Sequence, residues 1–162
     1  MLNNSKHNLI MSKILKEIYN SEIGKFLGFK GGTMAMMFYG LDRFSVDLDF
    51  DLLDLDKKDE VYNKLKIILE KFGDIKESIV KSSTIFFLLS YGERDHNIKI
   101  EINTRDFGSN YEVKNYLGIA MKIMIKEDIF AHKLCAWYER YDCTNKDIYD
   151  VNEEEKKIKK ED

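Results

Sequence analysis

The stretch that decides the fold is FKGGTMAMMFYGLDRFSVDLDFDL, running from Phe29 to Leu52. Its middle, MAMMFY, is made of good helix formers with few β-branched residues, and Gly40 supplies a helix stop. Ahead of it, Phe26 to Lys30 reads as a short strand that runs straight into Gly31-Gly32-Thr33. The expected order is strand, glycine turn, helix. Behind it, Val46-Asp47-Leu48-Asp49-Phe50-Asp51-Leu52 alternates residue by residue. As a strand this segment buries Val46, Leu48, Phe50 and Leu52 and sends three aspartates to the opposite face.

Outward from that core, Ile10, Met11, Ile14, Leu15 and Ile18 recur at three and four residues and predict an amphipathic helix from Asn8 to Tyr19. Val61, Leu65, Ile68, Leu69 and Phe72 predict another from Asp56 to Phe72, stopped by Gly73. TIFFLLS, from Thr84 to Ser90, reads as a buried strand. Ile98-Lys99-Ile100-Glu101-Ile102-Asn103 alternates again, and the polar turn from Tyr91 to His96 makes the two a hairpin. On the second strand the isoleucines face the core, and Lys99, Glu101 and Asn103 face outward. Asn103 to Tyr116 reads as irregular. A long helix is expected from Lys126 to Tyr141, with Phe130, Leu134, Trp137 and Tyr141 as its buried stripe, and Lys146 to Val151 opens another. The tail NEEEKKIKKED cannot bury a face. The reading is therefore one domain over residues 1–151 with a charged, disordered tail over 152–162. Its class is α/β (α+β), a small mixed β-sheet flanked by helices.

Composition narrows the function. The 162 residues are 44% hydrophobic, with ten Phe and nine Tyr, which excludes a disordered chain. No run approaches the roughly 20 apolar residues of a membrane span, so a soluble, cytoplasmic protein with no membrane partner is expected. Cys135 and Cys143 make no disulfide framework. With only His7, His96 and His132, no zinc-type cluster exists in the sequence, and a metal must be held by carboxylates, which points to a hard ion such as magnesium. A net charge of −3 argues against broad electrostatic binding of nucleic acid.

Asp47 and Asp49, two apart on one strand face, lie about 6.6 Å apart along the strand. Both side chains can reach one divalent ion or a pair, and a cation relieves their mutual repulsion. If the Ile98–Asn103 strand is a neighbour, Glu101 adds a third carboxylate. Asp51, about 13 Å from Asp47, stands too far along to share the ion. Gly31-Gly32-Thr33 at a helix start lets a phosphate approach backbone amides and a hydroxyl. Separately, each feature has a plain reading, a solvated strand face and a tight turn; together they are what nucleotidyl transfer needs.

These residues carry a resemblance. Phe29 to Leu52 resembles the opening motif of the AbiEii/AbiGii nucleotidyltransferase toxin family: KGGT, a helix, then R-x-S-x-D-x-D. IFAHKLCAWYERYDCTNKDIYDV, from Ile129 to Val151, resembles the family's second block, a helix with A-x-K-L and a basic residue followed by R-D-x-Y-D. The resemblance implies a DNA polymerase β-like nucleotidyltransferase core that moves a nucleotide from an NTP to an acceptor, RNA such as tRNA or a protein. It also implies a toxin or phage-defence role with a separately encoded antitoxin. Carried over by position, Asp47, Asp49 and Glu101 hold Mg2+ (or Mn2+). Gly31, Gly32 and Thr33 cradle phosphates, Lys133 binds the triphosphate, and Asp147 completes the catalytic set. Lys30, Arg43, Ser45 and Arg140 match nucleotide-binding positions, and Asp150 matches a motif position without an assigned role.

Two departures accompany the match. Lys146 stands where the family's arginine precedes the aspartate, and a lysine is a weaker bidentate binder of phosphate or carboxylate. Relatives also continue for a further helical region, whereas this chain runs eleven residues beyond Val151. The alternative function is a truncated or degenerate relative that binds nucleotide or a partner protein without turnover; a plain metal-binding or interaction domain is the third reading.

Overall fold

A computed structural model of the chain describes residues 4–92 and 97–139. The strands are β1 (Leu27–Lys30), β2 (Leu48–Leu52), β3 (Asp74–Val80), β4 (Thr84–Ser90), β5 (Ile98–Asn103), β6 (Tyr111–Tyr116) and β7 (Ile119–Met124). The helices are α1 (Asn4–Tyr19), α2 (Gly31–Tyr39), α3 (Lys58–Leu69) and α4 (Lys126–Glu139). All seven strands join in one mixed sheet in the order β3-β4-β5-β2-β1-β7-β6. β1 and β2 are antiparallel, β2 and β5 parallel, and β1 and β7 parallel. The β4–β5 hairpin expected from the alternation is present.

One face of this sheet is apolar. Phe29, Leu48, Phe50, Phe87, Ile98, Ile100 and Ile102 are fully buried there with Met11, Ile14, Leu15 and Ile18 of α1 and Val61, Leu65 and Leu69 of α3. Tyr62 stacks on Phe87 with ring centroids 5.2 Å apart, which seats α3 on β4. The Tyr19 hydroxyl donates to the carbonyls of Leu27 and Lys122, which ties α1 to β1 and β7. Each fully buried Phe or Leu contributes about 1.5–3 kcal/mol by leaving water. This face anchors the sheet, and the opposite one is left to carry polar groups.

Several expectations change. Gly31 and Gly32 do not form a turn before the helix; they are its first two residues, and Gly40 ends it in the left-handed region at φ 63°. The second strand begins at Leu48, two residues later than expected, so Asp47 precedes it. Leu55–Lys57 is a 3-10 turn capped by the Asp54 side chain, and the α-helix proper begins at Lys58. β3 was not foreseen, because DIKESIV lacks alternation and pairs through a bulge between Ile75 and Glu77. The stretch read as irregular up to Tyr116 contains β6, which pairs with β7 through a two-residue turn, Leu117-Gly118, with φ values of 49° and 79°. That double positive φ is the geometry of a tight hairpin, usually written Asn-Gly. In α4, Phe130 and Leu134 are only half-buried and Ile129 is the buried anchor. Cys135 is an exposed free thiol. Arg140, Tyr141, Cys143, the Lys146–Val151 segment, the tail and His96 lie outside the described residues, as does the side chain of Trp137. No described helix is long and apolar enough to cross a membrane.

Candidate active site

Alternation places the polar residues of β1, β2 and β5 on the face opposite the core, and strand register sorts them into two rows. Lys30, Asp49 and Glu101 are lateral neighbours in one row. Gly28, Asp51 and Asn103 are lateral neighbours in the next. Directly opposed side chains in adjacent strands stand about 4.5–5.5 Å apart at Cβ. The parallel pairing of β2 with β5, which the sequence left as a condition, thus brings Glu101 beside Asp49.

A cleft of about 320 Å3 opens over the first row. Asp49 and Glu101 line it with Lys30, Gly31, Gly32 and Arg43, and α4 closes the far side with Ile129, His132 and Lys133. At Gly31, with φ 80°, a Cβ would fall 2.2 Å from Asp49 Oδ2. The carboxylate therefore lies against the first residue of α2, where a helix start favours negative charge. At Gly32 a Cβ would fall 2.8 Å from Ser45 Oγ and 2.9 Å from Arg43 Nη2. The positive φ of Gly31 favours glycine there, and the bare backbone of Gly32 lets the Arg43 and Ser45 side chains pack closely on the helix start.

Thr33 and Asp47 are placed differently. Thr33 is fully buried, and its hydroxyl donates to the Asp47 carbonyl, so it faces the approach to β2 and not the cleft. Asp47 is half-buried and does not line the cleft. His7, also fully buried, holds the same approach. Its Nε2 lies 3.1 Å from the Val46 carbonyl, which can only accept, and its Nδ1 lies 2.6 Å from the Tyr91 hydroxyl. Nothing in the spacing of His7 signalled this clamp. Among the described residues no three His, Cys, Asp or Glu side chains stand together closely enough to form a metal site of their own.

The second row is tightly paired, and its Asn103 reaches the edge of the cleft. Asp51 is 5% exposed and accepts from Lys30 Nζ at 2.6 Å, Asn103 Nδ2 at 2.8 Å and the Tyr111 hydroxyl at 2.6 Å. Gly28 makes this possible: a Cβ there would fall 2.3 Å from the Tyr111 ring, which crosses β1 to reach Asp51. Burial and the adjacent Asp51 carboxylate hold the Tyr111 phenol protonated, well above its ordinary pKa. On α4, His132 Nε2 lies 2.7 Å from Ser109 Oγ, and the Phe107 ring meets the imidazole edge-on. Burial first, and the nearby Lys30 ammonium second, push the His132 pKa down, favouring the neutral ring. Asp51, Asn103, Tyr111 and His132 were missed as a group, since a strand pattern shows the face a residue takes and not whether that face is covered.

Comparison with known proteins decides the family. The family model described as nucleotidyl transferase AbiEii toxin, type IV toxin–antitoxin system, matches residues 13–153. The chain belongs to the AbiEii nucleotidyltransferase toxin family. The match spans both sequence blocks of the AbiEii chain and most of the domain between them. A crystal structure from Helicobacter pylori, described as a candidate nucleotidyltransferase, superposes with a TM-score of 0.67 at 27% identity, covering 93% of this chain and 67% of that one. A second H. pylori protein, JHP933, gives 0.63 at 25% identity, covering 93% and 66%. The AbiEii chain thus spans about two thirds of the length of these two proteins. A candidate nucleotidyltransferase from Thermotoga maritima, at 13% identity and a TM-score of 0.55 with 84% and 87% covered, shares the fold. No functionally curated protein matches the chain. The mixed α/β fold of this AbiEii member is that of its nucleotidyltransferase-like neighbours. Two residues assigned by resemblance, Arg140 and Asp147, lie outside the described part of the structure.

Proposed function

We propose that this AbiEii-family chain is a divalent-metal-dependent nucleotidyltransferase that moves a nucleotide from an NTP to an RNA acceptor, as the toxin partner of a separate antitoxin. The observation that carries this reading is the lateral pair Asp49–Glu101, opening into one cleft beside the glycine start of α2. The donor set fits Mg2+ or Mn2+. Such ions take oxygen ligands, keep several waters and are commonly held by one or two carboxylates plus substrate phosphates, so a closed protein cage is not required. When bound, the ion would neutralise charge on the leaving pyrophosphate and acidify the attacking hydroxyl.

The protein's own residues then have distinct tasks. Asp49 and Glu101 hold the ion on the cleft floor. The amides at the start of α2 offer donors to phosphate oxygens, which Gly31 and Gly32 allow to approach. Arg43 and Lys133 supply positive charge from two sides of the cleft, drawing in the triphosphate and orienting it. Ser45 and Thr33 act at one remove, Ser45 packed against Gly32 and Thr33 securing the backbone at Asp47. On the resemblance, Asp47 joins Asp49 and Glu101 as a metal ligand, Asp147 completes the catalytic set and Arg140 binds the nucleotide.

Incubating the protein with α-labelled NTPs, Mg2+ and an RNA pool should give labelled RNA, abolished by Asp49→Ala. A second reading, nucleotide binding without turnover, is favoured by the lack of a three-carboxylate cluster among the described residues. NTP binding with no acceptor ever labelled would select it; no binding of NTP or metal would exclude both.

A further inference from the structure

From the second cleft beside Glu101 we infer that the shelf formed by β3 and β4 is the acceptor subsite, where the terminal base of a single-stranded RNA stacks on Phe86 and its phosphate meets Lys81. The inference rests on the reading of the neighbouring cleft as the metal and nucleotide site.

Strand register carries the row of Lys30, Asp49 and Glu101 across two more strands. Phe86 of β4 stands directly opposite Glu101, and Ile79 of β3 directly opposite Phe86. Their side chains share the face turned away from the apolar core, since Ile85 and Phe87, on either side of Phe86 in β4, are fully buried on the other face. Phe86 and Ile79 are half-buried, and neither packs against the core cluster. Instead they line a second cleft of about 320 Å3 with Glu77, Lys81, Thr84 and Glu101. Glu101 is thus the wall that the two clefts share.

The side on which this cleft lies is the side an acceptor must use. Attacking and leaving oxygens stand roughly in line through the transferred phosphorus. With the triphosphate over Gly31 and Gly32, pyrophosphate leaves toward α2 and the attacking hydroxyl arrives from the Glu101 side. Its oxygen forms the new bond to the α-phosphorus as the bond to pyrophosphate breaks, and its proton passes to a Glu101 oxygen. The lining suits an unpaired nucleotide end. An aromatic ring stacks on any base, because every base has a π-face. Glu77 accepts from ribose hydroxyls and repels phosphates, so the RNA backbone leaves the cleft past the exposed Lys81. The turn that carries Lys81 is held in place. Lys58 Nζ donates to the carbonyls of Lys81 and Ser82 at 2.7 and 3.2 Å, and the Thr104 hydroxyl donates to Ser82 at 3.1 Å. A fixed turn spares the ordering cost of binding.

The test is photo-crosslinking of the wild-type protein to a short single-stranded RNA ending in thiouridine, with Mg2+ and a non-hydrolysable NTP present, followed by peptide mapping. A crosslink in β4 at or beside Phe86 is expected; crosslinks confined to other elements would overturn the inference. Binding of the same RNA, read by fluorescence anisotropy, gives a second measure. Phe86→Ala should weaken it about fivefold or more and Phe86→Tyr should stay within about twofold of wild type, with NTP affinity within about twofold in both. Equal RNA affinity in Phe86→Ala and wild type would overturn the inference. Should Phe86→Ala not fold, Lys81→Ala decides: about threefold weaker RNA binding and a shallower salt dependence are expected, and no change in either would overturn it. RNA that does not bind a protein able to bind NTP would also overturn it, in favour of a protein acceptor. Failure to bind NTP would remove the nucleotide reading instead, so the two failures are distinct.

Discussion

Asp49 and Asp51 are two residues apart on one strand and share a face, yet they live in different chemistry. Asp49 is half-buried, borders the cleft and faces Glu101 across the β2–β5 ladder. Asp51 is closed in by Lys30, Asn103 and Tyr111. The difference comes from what lies above each row: α4 and an open cleft over the first, and the Tyr111 ring crossing β1 at Gly28 over the second. A shift of one pleat thus separates a carboxylate that borders the cleft from one that organises the wall beside it. A third environment lies on the other side of the sheet, where Phe87, Leu65 and their neighbours exclude water altogether.

The contrast yields predictions of decreasing size. Asp49→Asn should cut transfer on the order of a thousandfold, about 4 kcal/mol of transition-state stabilisation, while the melting temperature stays within a few degrees of wild type. A stable protein with undiminished turnover would erase the distinction between the two aspartates. Leu65→Ala, on the apolar face, should do the reverse, losing about 3 kcal/mol in urea unfolding with NTP affinity of the folded protein unchanged. A changed affinity would mean that the two faces are coupled. Tyr111→Phe removes one donor from a buried carboxylate and should cost about 1.5 kcal/mol of stability. A cost near zero would show that Lys30 and Asn103 suffice to satisfy Asp51.

The smallest effect concerns His132. Its folded pKa is depressed, by burial and then by Lys30. The unfolded chain therefore takes up the proton first as pH falls below about 6.5. Stability is full above that value and declines as pH drops through the window below it. Melting temperatures between pH 5 and 7.5 should show a shallower acid-side decline in His132→Gln; equal slopes would assign the decline to other groups.

How much of this was legible depends on what each signal encodes. Residue alternation in β2 and β5 gave the apolar face, and with it the side on which Asp49 and Glu101 stand. KGGT marked a special backbone, although the glycines serve as the first residues of α2 and make room for Asp49, Arg43 and Ser45. Asp51 could be assigned to the polar face but not to its covered part, because its cover comes from Tyr111, sixty residues away in sequence. The β6–β7 hairpin escaped notice because Leu117 occupies a position where Asn is the usual signal. β3 escaped because an edge strand with one wet face and a bulge has no clean period. Thr33 matched a phosphate-binding motif by type, yet its hydroxyl is engaged by the Asp47 carbonyl, a contact only the fold creates.

The central claim is that the Asp49–Glu101 row, and not its neighbour, is where metal and nucleotide meet. A crystal structure of the protein with Mg2+ and a non-hydrolysable NTP tests it most directly. The account predicts oxygens of Asp49 and Glu101 on the metal at about 2.0–2.1 Å, with the triphosphate over Gly31 and Gly32. A nucleotide bound elsewhere, with both carboxylates clear of any metal, would contradict it.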